Sequence, residues 1–272
     1  VLGLLPKQAK VATGKISLGG EVLTGKSEQD MRRIRGDRVA LVPQDALRAL
    51  NPVRRVGSQV GEPFELHRGL GRNEANIRAI GKMESVHLPQ PEERANEYPH
   101  QFSGGMQQRA MIAMSLACDP KLIIADEPTT ALDVTVQAQV LHLLKEVTRE
   151  TGAALVIITH DLGVVARYAD RVNVMYAGRI VEAGPAREIY NNPKHPYTVG
   201  LMNSVPRLDG DLDSALKPIE GQPPDLADLP SGCAFQPRCR HAIERRSVER
   251  PALTIVENEH VAACWVEINV TP

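Results

Sequence analysis

The stretch Leu122–His160, LIIADEPTTALDVTVQAQVLHLLKEVTRETGAALVIITH, carries the fold in its spacing. LIIAD (122–126) is an unbroken apolar run that ends in an acid, the pattern of a strand buried on both faces. From 134 to 149, Val136, Val140, Leu143, Leu144 and Val147 recur at helical spacing, and Gly152 follows as a stop. ALVIITH (154–160) reads as a second buried strand. Strand, helix and strand at this spacing predict parallel pairing through a right-handed crossover. Ligands of such sheets bind at the carboxyl ends of the strands. The acids that close the first strand and the histidine that closes the second are therefore the first candidates for chemistry.

Downstream, DLGVVARYA reads as a short helix and RVNVMYAGRIVEAG as two strands around a turn at Ala177-Gly178. Upstream, residues 16–23 (ISLGGEVL) and 38–43 (RVALVP) read as short strands. Between about 45 and 117 the chain is rich in charge and helix formers, with Pro and Gly breaks near 61–63, 69–71 and 89–91, and reads as mainly helical. Past Pro206 an acidic, Pro-rich tract forms a linker or a draped extension, and a Cys-containing segment at 232–265 follows. The expected class is α/β, with a mostly parallel core sheet, a helical subdomain at about 45–117 and a Cys-containing C-terminal extension.

Composition narrows the function. Apolar residues make up 42% of the 272, enough for a sizeable core, and the formal net charge is −1. That balance argues against a nucleic-acid partner held by a basic face. No run approaches the roughly 18 apolar residues a spanning helix needs, so work at a membrane requires another chain to do the spanning. VLGLLPKQ, at the start, lacks the basic residues and cleavage site of a signal peptide. Four cysteines are too few for a disulfide scaffold and fit a reducing cytosol.

Several motifs carry chemistry. In LIIADEP, Asp126 and Glu127 sit at the mouth of a buried strand. In phosphoryl-transfer sites an Asp there holds Mg²⁺, and a Glu beside it can orient and deprotonate the attacking water. Taken alone, the same residues serve equally well as a strand running into a polar loop. In FSGGMQQR, Ser103, Gly104 and Gly105 open a helix with backbone N–H groups ready for an anion, although an isolated SGG is usually an ordinary helix cap. Gln44 and His160 each follow a strand, where a lone Gln or His is usually structural. A His there can instead donate to a γ-phosphate.

Order and spacing decide what single motifs leave open. Gln after a strand, a helical insert, SGG opening a helix, DE at a strand end, Ala131-Leu132-Asp133 and a strand-end His follow one another. Over residues 1 to about 205 the chain resembles the nucleotide-binding subunits of ABC transporters. The resemblance implies that Gln44 is the Q-loop residue and Phe102–Met106 the signature motif, with Met106 in place of the usual Gln. It makes Asp126 the Walker B aspartate, Glu127 the catalytic glutamate, Ala131–Asp133 the D-loop and His160 the switch histidine. It further implies ATP with Mg²⁺ held by Asp126 and Gln44, and a head-to-tail pair with a second ATPase subunit, identical or not. Ser103–Gly105 and Asp133 would then face the partner's nucleotide. Transmembrane permease subunits, and indirectly a solute-binding protein, complete the expected assembly at the cytoplasmic face of the plasma membrane.

One motif is missing. The only formal match to GxxxxGK[ST] is Gly20–Ser27, whose interior EVLT reads as a strand rather than a phosphate loop. VLGLLP is similar to the end of the helix that follows that loop in the family, which places the expected loop upstream of Val1, with a degenerate subunit as the other reading. QDALRALNPVRRVGSQV, ADEPTTALDVTVQAQVL and HPYTVGLM resemble the oligopeptide/dipeptide importer branch, which includes nickel and glutathione importers. A domain at 1–205 and an extension at 206–272 follow from this. The other function classes are a non-catalytic subunit that lends its signature motif to a partner's site, and a soluble ABC ATPase.

In that branch the extension carries four cysteines that can hold an iron–sulfur cluster. Cys233, Cys239 and Cys264 match, but Arg246 stands where the remaining Cys is expected. His241 as a fourth ligand, three ligands to zinc, or three reduced cysteines in a packed extension are the open readings. Cys118 reads as a core residue.

Overall fold

The first regular structure is a hairpin. Strands β1 (Ser17–Leu18) and β2 (Glu21–Val22) pair antiparallel about Gly19 and Gly20, whose φ of 56° and 83° suit a tight turn that non-glycine residues avoid. The single strand expected over 16–23 is thus two, because the glycine pair reverses the chain. Ser27 caps α1 (Glu28–Ile34) by accepting from the Asp30 N–H at 3.1 Å. Strand β3 (Val39–Val42) follows. The computed structural model describes residues 1–130, 132–204, 218–243 and 248–266, the side chains of 46 and 47 excepted.

Helical structure then fills the region expected to be helical, as α2 (Ala46–Ala49), α3 (Val56–Arg68), α4 (Arg72–Ser85), α5 (Pro91–Arg94), a 3₁₀ turn at Pro99–Gln101 and α6 (Gly104–Ser115). Strand β4 (Leu122–Asp126), helix α7 (Val134–Thr151) and strand β5 (Ala154–Ile158) come next. Gly152 ends α7 in the left-handed conformation, φ 67°. The sheet runs β3-β4-β5, parallel throughout, with Val42 opposite Ala125 and Asp126 opposite Ile158. One apolar cluster joins sheet and helices: Val42, Ile123 and Ala125 pack with Val60, Met83, Ile112, Leu116, Leu143 and Leu144. The helical insert shares this core, beside a small cluster of its own at Phe64, Ala75 and Ala117, which ties its position to the strands that carry the candidate site.

The strand at 154–158 departs from expectation. Val156 and Ile158 are 47% and 50% exposed, so β5 is not buried on both faces. It lies at the edge of the described sheet, and an apolar run alone cannot say which face a neighbour covers.

Helix α3 has no side-chain cap. The N–H groups of Val56 and Gly57 instead donate to the carbonyls of Glu97 and Ala95, each at 2.9 Å. That approach requires a glycine: a Cβ at position 57 would stand 2.7 Å from both the Ala95 carbonyl oxygen and its Cβ. Gly57→Ala is expected to cost about 1–3 kcal/mol by overpacking. A melting temperature lowered by several degrees in calorimetry checks this, and an unchanged one refutes the contact.

Residues 1–160 form one compact unit and residues 161–272 another. In the second, Asp161 caps α8 (Leu162–Tyr168), and β6 (Arg171–Tyr176) turns through Ala177 and Gly178, both at positive φ, into antiparallel β7 (Arg179–Pro185). Helices α9 (Ala186–Asn191) and α10 (Pro196–Asn203) follow. Strands β8 (Thr254–Glu257) and β9 (His260–Ala262) complete a sheet of order β6-β7-β9-β8, with Glu182 opposite Ala262. The Cys-containing extension therefore pairs with the hairpin at 171–185 instead of standing apart. The domain boundary expected at 205/206 lies outside the described residues. Among them, no helix is long and apolar enough to cross a membrane.

Candidate functional site

The site follows from the sheet register. Because Val42 opposes Ala125 and Asp126 opposes Ile158, the residues just past the three strands come together at one edge. Glu127 is central. Its N–H donates to the Ile158 carbonyl at 2.9 Å, and its φ of 45° is left-handed, a conformation a side-chain-bearing residue adopts only when held there. A tight turn over Glu127–Thr130 closes with the Thr130 N–H donating to the Glu127 carbonyl at 3.1 Å.

Three donors reach the Glu127 carboxylate. Gln44 donates from Nε2 to Oε2 at 2.8 Å, the Thr130 hydroxyl donates to Oε2 at 2.8 Å, and His160 Nδ1 lies 2.9 Å from Oε1. Nδ1 must carry its proton to meet a carboxylate, so a neutral His160 presents Nε2 as an acceptor. The His160 ring first, then the Thr130 hydroxyl, with a smaller contribution from Gln44, hold the Glu127 carboxyl below the ordinary carboxylate range against the opposing effect of burial. Glu127 is thus ionised at neutral pH, with its side chain 25% exposed.

Asp126 is exposed at the end of β4. Gln44 uses its amide N–H toward Glu127, which leaves Oε1 as an acceptor. A carboxylate and an amide oxygen are hard donors of the kind Mg²⁺ takes while keeping waters and phosphate oxygens as its other ligands. These residues fit that ion. A further catalytic or structural metal is another matter: among the described residues, no group of three His, Cys, Asp or Glu is placed to hold one.

The second expected motif lies elsewhere in the same unit. Ser103 caps α6, accepting from the Met106 N–H at 3.3 Å, and Asp133 caps α7, accepting from Val136 at 3.0 Å. Gly105 lets α6 approach the start of α7. A Cβ at 105 would stand 2.9 Å from Val136 Cγ1, and one at 104 would stand 3.7 Å from Leu132. Ser103, Gly104, Gly105 and Asp133 make none of the Glu127 contacts. Ala131 lies outside the described residues. Buried Gln107, which no motif announces, donates to the carbonyls of Pro99 and Phe102 and fixes the turn leading into α6.

Gly20–Ser27 does not form a phosphate loop. Its interior is β2, and Lys26 reaches back to Glu21 at 2.7 Å. Lys26 and Arg38 together hold the Glu21 carboxyl down to about 2. A lysine engaged this way is not offered to a phosphate.

The C-terminal cysteines form no three-ligand group among the described residues. Cys233 and Cys239 pack in an apolar group with Tyr176 and Phe235, Cys264 Sγ lies 3.3 Å from the Val266 carbonyl, and His241 is exposed. The described residues therefore do not fit an iron–sulfur cluster or a three-ligand zinc site; Arg246 lies outside them. Cys118 is buried, and burial pushes its thiol up.

Comparison with known proteins is consistent with this arrangement. Residues 1–130 match the ABC transporter family and residues 181–245 the oligopeptide/dipeptide transporter C-terminal region. The chain is 48% identical over 269 residues to the dipeptide transport ATP-binding protein of Bacillus subtilis, covering 98% of this chain and 80% of that protein. It is 45% identical over 266 residues to the oligopeptide transport ATP-binding protein of Haemophilus influenzae, covering 98% and 81%. Among solved structures, it resembles a dimeric ATP-binding cassette in a post-hydrolysis state bound to ADP and Pi, with a TM-score of 0.58, 29% identity, and coverage of 66% of this chain and 76% of that one.

Proposed function

The chain belongs to the ABC transporter family of ATP-binding proteins, and from that premise we propose that it is the ATP-hydrolysing subunit that energises peptide import. The observation that carries the reading is the Glu127 carboxylate, ionised and met by Gln44 and His160 where three parallel strands end. In this role Glu127 takes the proton of the attacking water as the γ-phosphoryl group departs. His160 orients Glu127 through Nδ1. It can donate to the phosphate from Nε2 only as the imidazolium or after leaving Glu127. Asp126 and the Gln44 amide oxygen would hold Mg²⁺, which would offset the negative charge of the nucleotide phosphates.

Ser103–Gly105, with the free N–H groups at the start of α6, would meet the nucleotide of a second ATPase subunit, and Asp133 would line the same interface. Permease subunits would cross the membrane and a solute-binding protein would deliver the peptide, with this chain peripheral on the cytoplasmic side. Reconstitution with the permease and binding protein in liposomes tests the reading. Hydrolysis is expected to rise with di- or oligopeptide. Stimulation by nickel or glutathione alone would move the solute within the branch, and hydrolysis indifferent to all three would overturn the import role.

A further inference from the structure

We infer that Thr130, through its side-chain hydroxyl, is the positioning residue that keeps the Glu127 carboxylate aimed while ATP is being hydrolysed. The inference rests on Glu127 being the general base. Three donors hold that carboxylate, but they are anchored differently. Gln44 follows β3 and His160 follows β5, so each reaches Glu127 from another strand. In the proposed reaction both have a second task, Gln44 toward the cation and His160 toward the phosphate. As His160 turns to the phosphate its hold on the carboxylate loosens, and Gln44 then shares one amide between the carboxylate and the cation.

Thr130 has no such competitor. It sits on the same four-residue turn as Glu127, its N–H bonded to the Glu127 carbonyl at 3.1 Å and its hydroxyl to Oε2 at 2.8 Å. The backbone bond fixes the distance between the residues, so the hydroxyl stays within reach however the neighbouring loops move. A carboxylate held by one oxygen cannot rotate freely, and its other oxygen, Oε1, stays directed at the place His160 vacates. Rotational freedom at that point would spread the base over non-reactive orientations, which lowers the rate without weakening ATP binding.

Thr130→Val keeps the shape and removes the donor; Thr130→Ser keeps the donor and removes the methyl. In the transporter reconstituted in liposomes, Thr130→Val is expected to lower kcat about tenfold, roughly the worth of one hydrogen bond to a charged group, with KM for ATP little changed. Thr130→Ser is expected to restore most of the rate. Placed on Glu127→Gln, Thr130→Val should add nothing to the single-turnover defect, because the two residues act as a unit. Equal losses in the Val and Ser variants, or a full additional loss on Glu127→Gln, would overturn the hydroxyl's role. So would a wild-type kcat in Thr130→Val alongside a collapsed Glu127→Gln. A Glu127→Gln variant that turns over normally would instead remove the base itself, a different failure.

Discussion

Replacing Glu127 by Gln is expected to lower the maximal rate of ATP hydrolysis by about 10²–10⁴-fold while ATP binding stays near wild type. The surroundings explain why so small a change reports chemistry rather than damage. The amide oxygen introduced by the substitution can still accept from Gln44 and Thr130, which both meet Oε2 of the native side chain. The new amide nitrogen faces His160 Nδ1, and the ring can shift its proton to Nε2 and accept at Nδ1. Every hydrogen bond survives, and only the capacity to take a proton is lost. Single-turnover hydrolysis and equilibrium nucleotide binding, measured on the same preparation, separate the two effects. Turnover within a few-fold of wild type would strip Glu127 of its role and favour a subunit that lends its signature motif to a partner's site.

The second large effect lies far from that chemistry, at Glu182. This carboxylate is fully buried in β7. It accepts from the Lys194 N–H at 2.6 Å, the His195 N–H at 3.0 Å and His260 Nε2 at 2.7 Å. One side chain thus fastens β7, the segment entering α10 and the distant β9. Glu182→Ala leaves two backbone donors and an imidazole buried with no acceptor, a loss of about 3–5 kcal/mol for breaking such a pair. Against the roughly 5–15 kcal/mol that holds a whole domain together, this is enough to loosen the unit at 161–272. Thermal melts and limited proteolysis are the checks, with new cleavage expected after Asp161 and residues 1–160 resistant. A variant that melts with wild type and resists protease would show the buried cluster to be dispensable.

Sequence and structure agree where the signal is local. The period of α7, its Gly152 stop, the parallel β4–β5 pair and the turn at Ala177-Gly178 are all written in neighbouring residues, and all are found. Gln44, Glu127 and His160 are legible because each falls just past an apolar run, and the register of a parallel sheet brings such positions together. Thr130 is not legible. A threonine after DEPT is an ordinary turn residue until the left-handed Glu127 folds its carboxylate back over it. Glu182 escapes notice for a related reason: an acid in a strand reads as solvent-facing, and nothing nearby announces a histidine 78 residues on. The hairpin inside ISLGGEVL and the open face of β5 depart from expectation because apolar content says little about which neighbours a strand acquires.

The Glu182–His260 contact also has a history in time. A ribosome adding about 5–20 residues each second completes β7 roughly 4–16 s before it delivers His260. During that interval the acid has no imidazole to meet, and the edge of β7 that will receive β9 stands bare. Burying the carboxylate early would strand a charge, so the segment gains by staying hydrated and open until the hairpin at 254–262 emerges. Until then β7 lacks both the strand and the imidazole that cover it in the finished sheet.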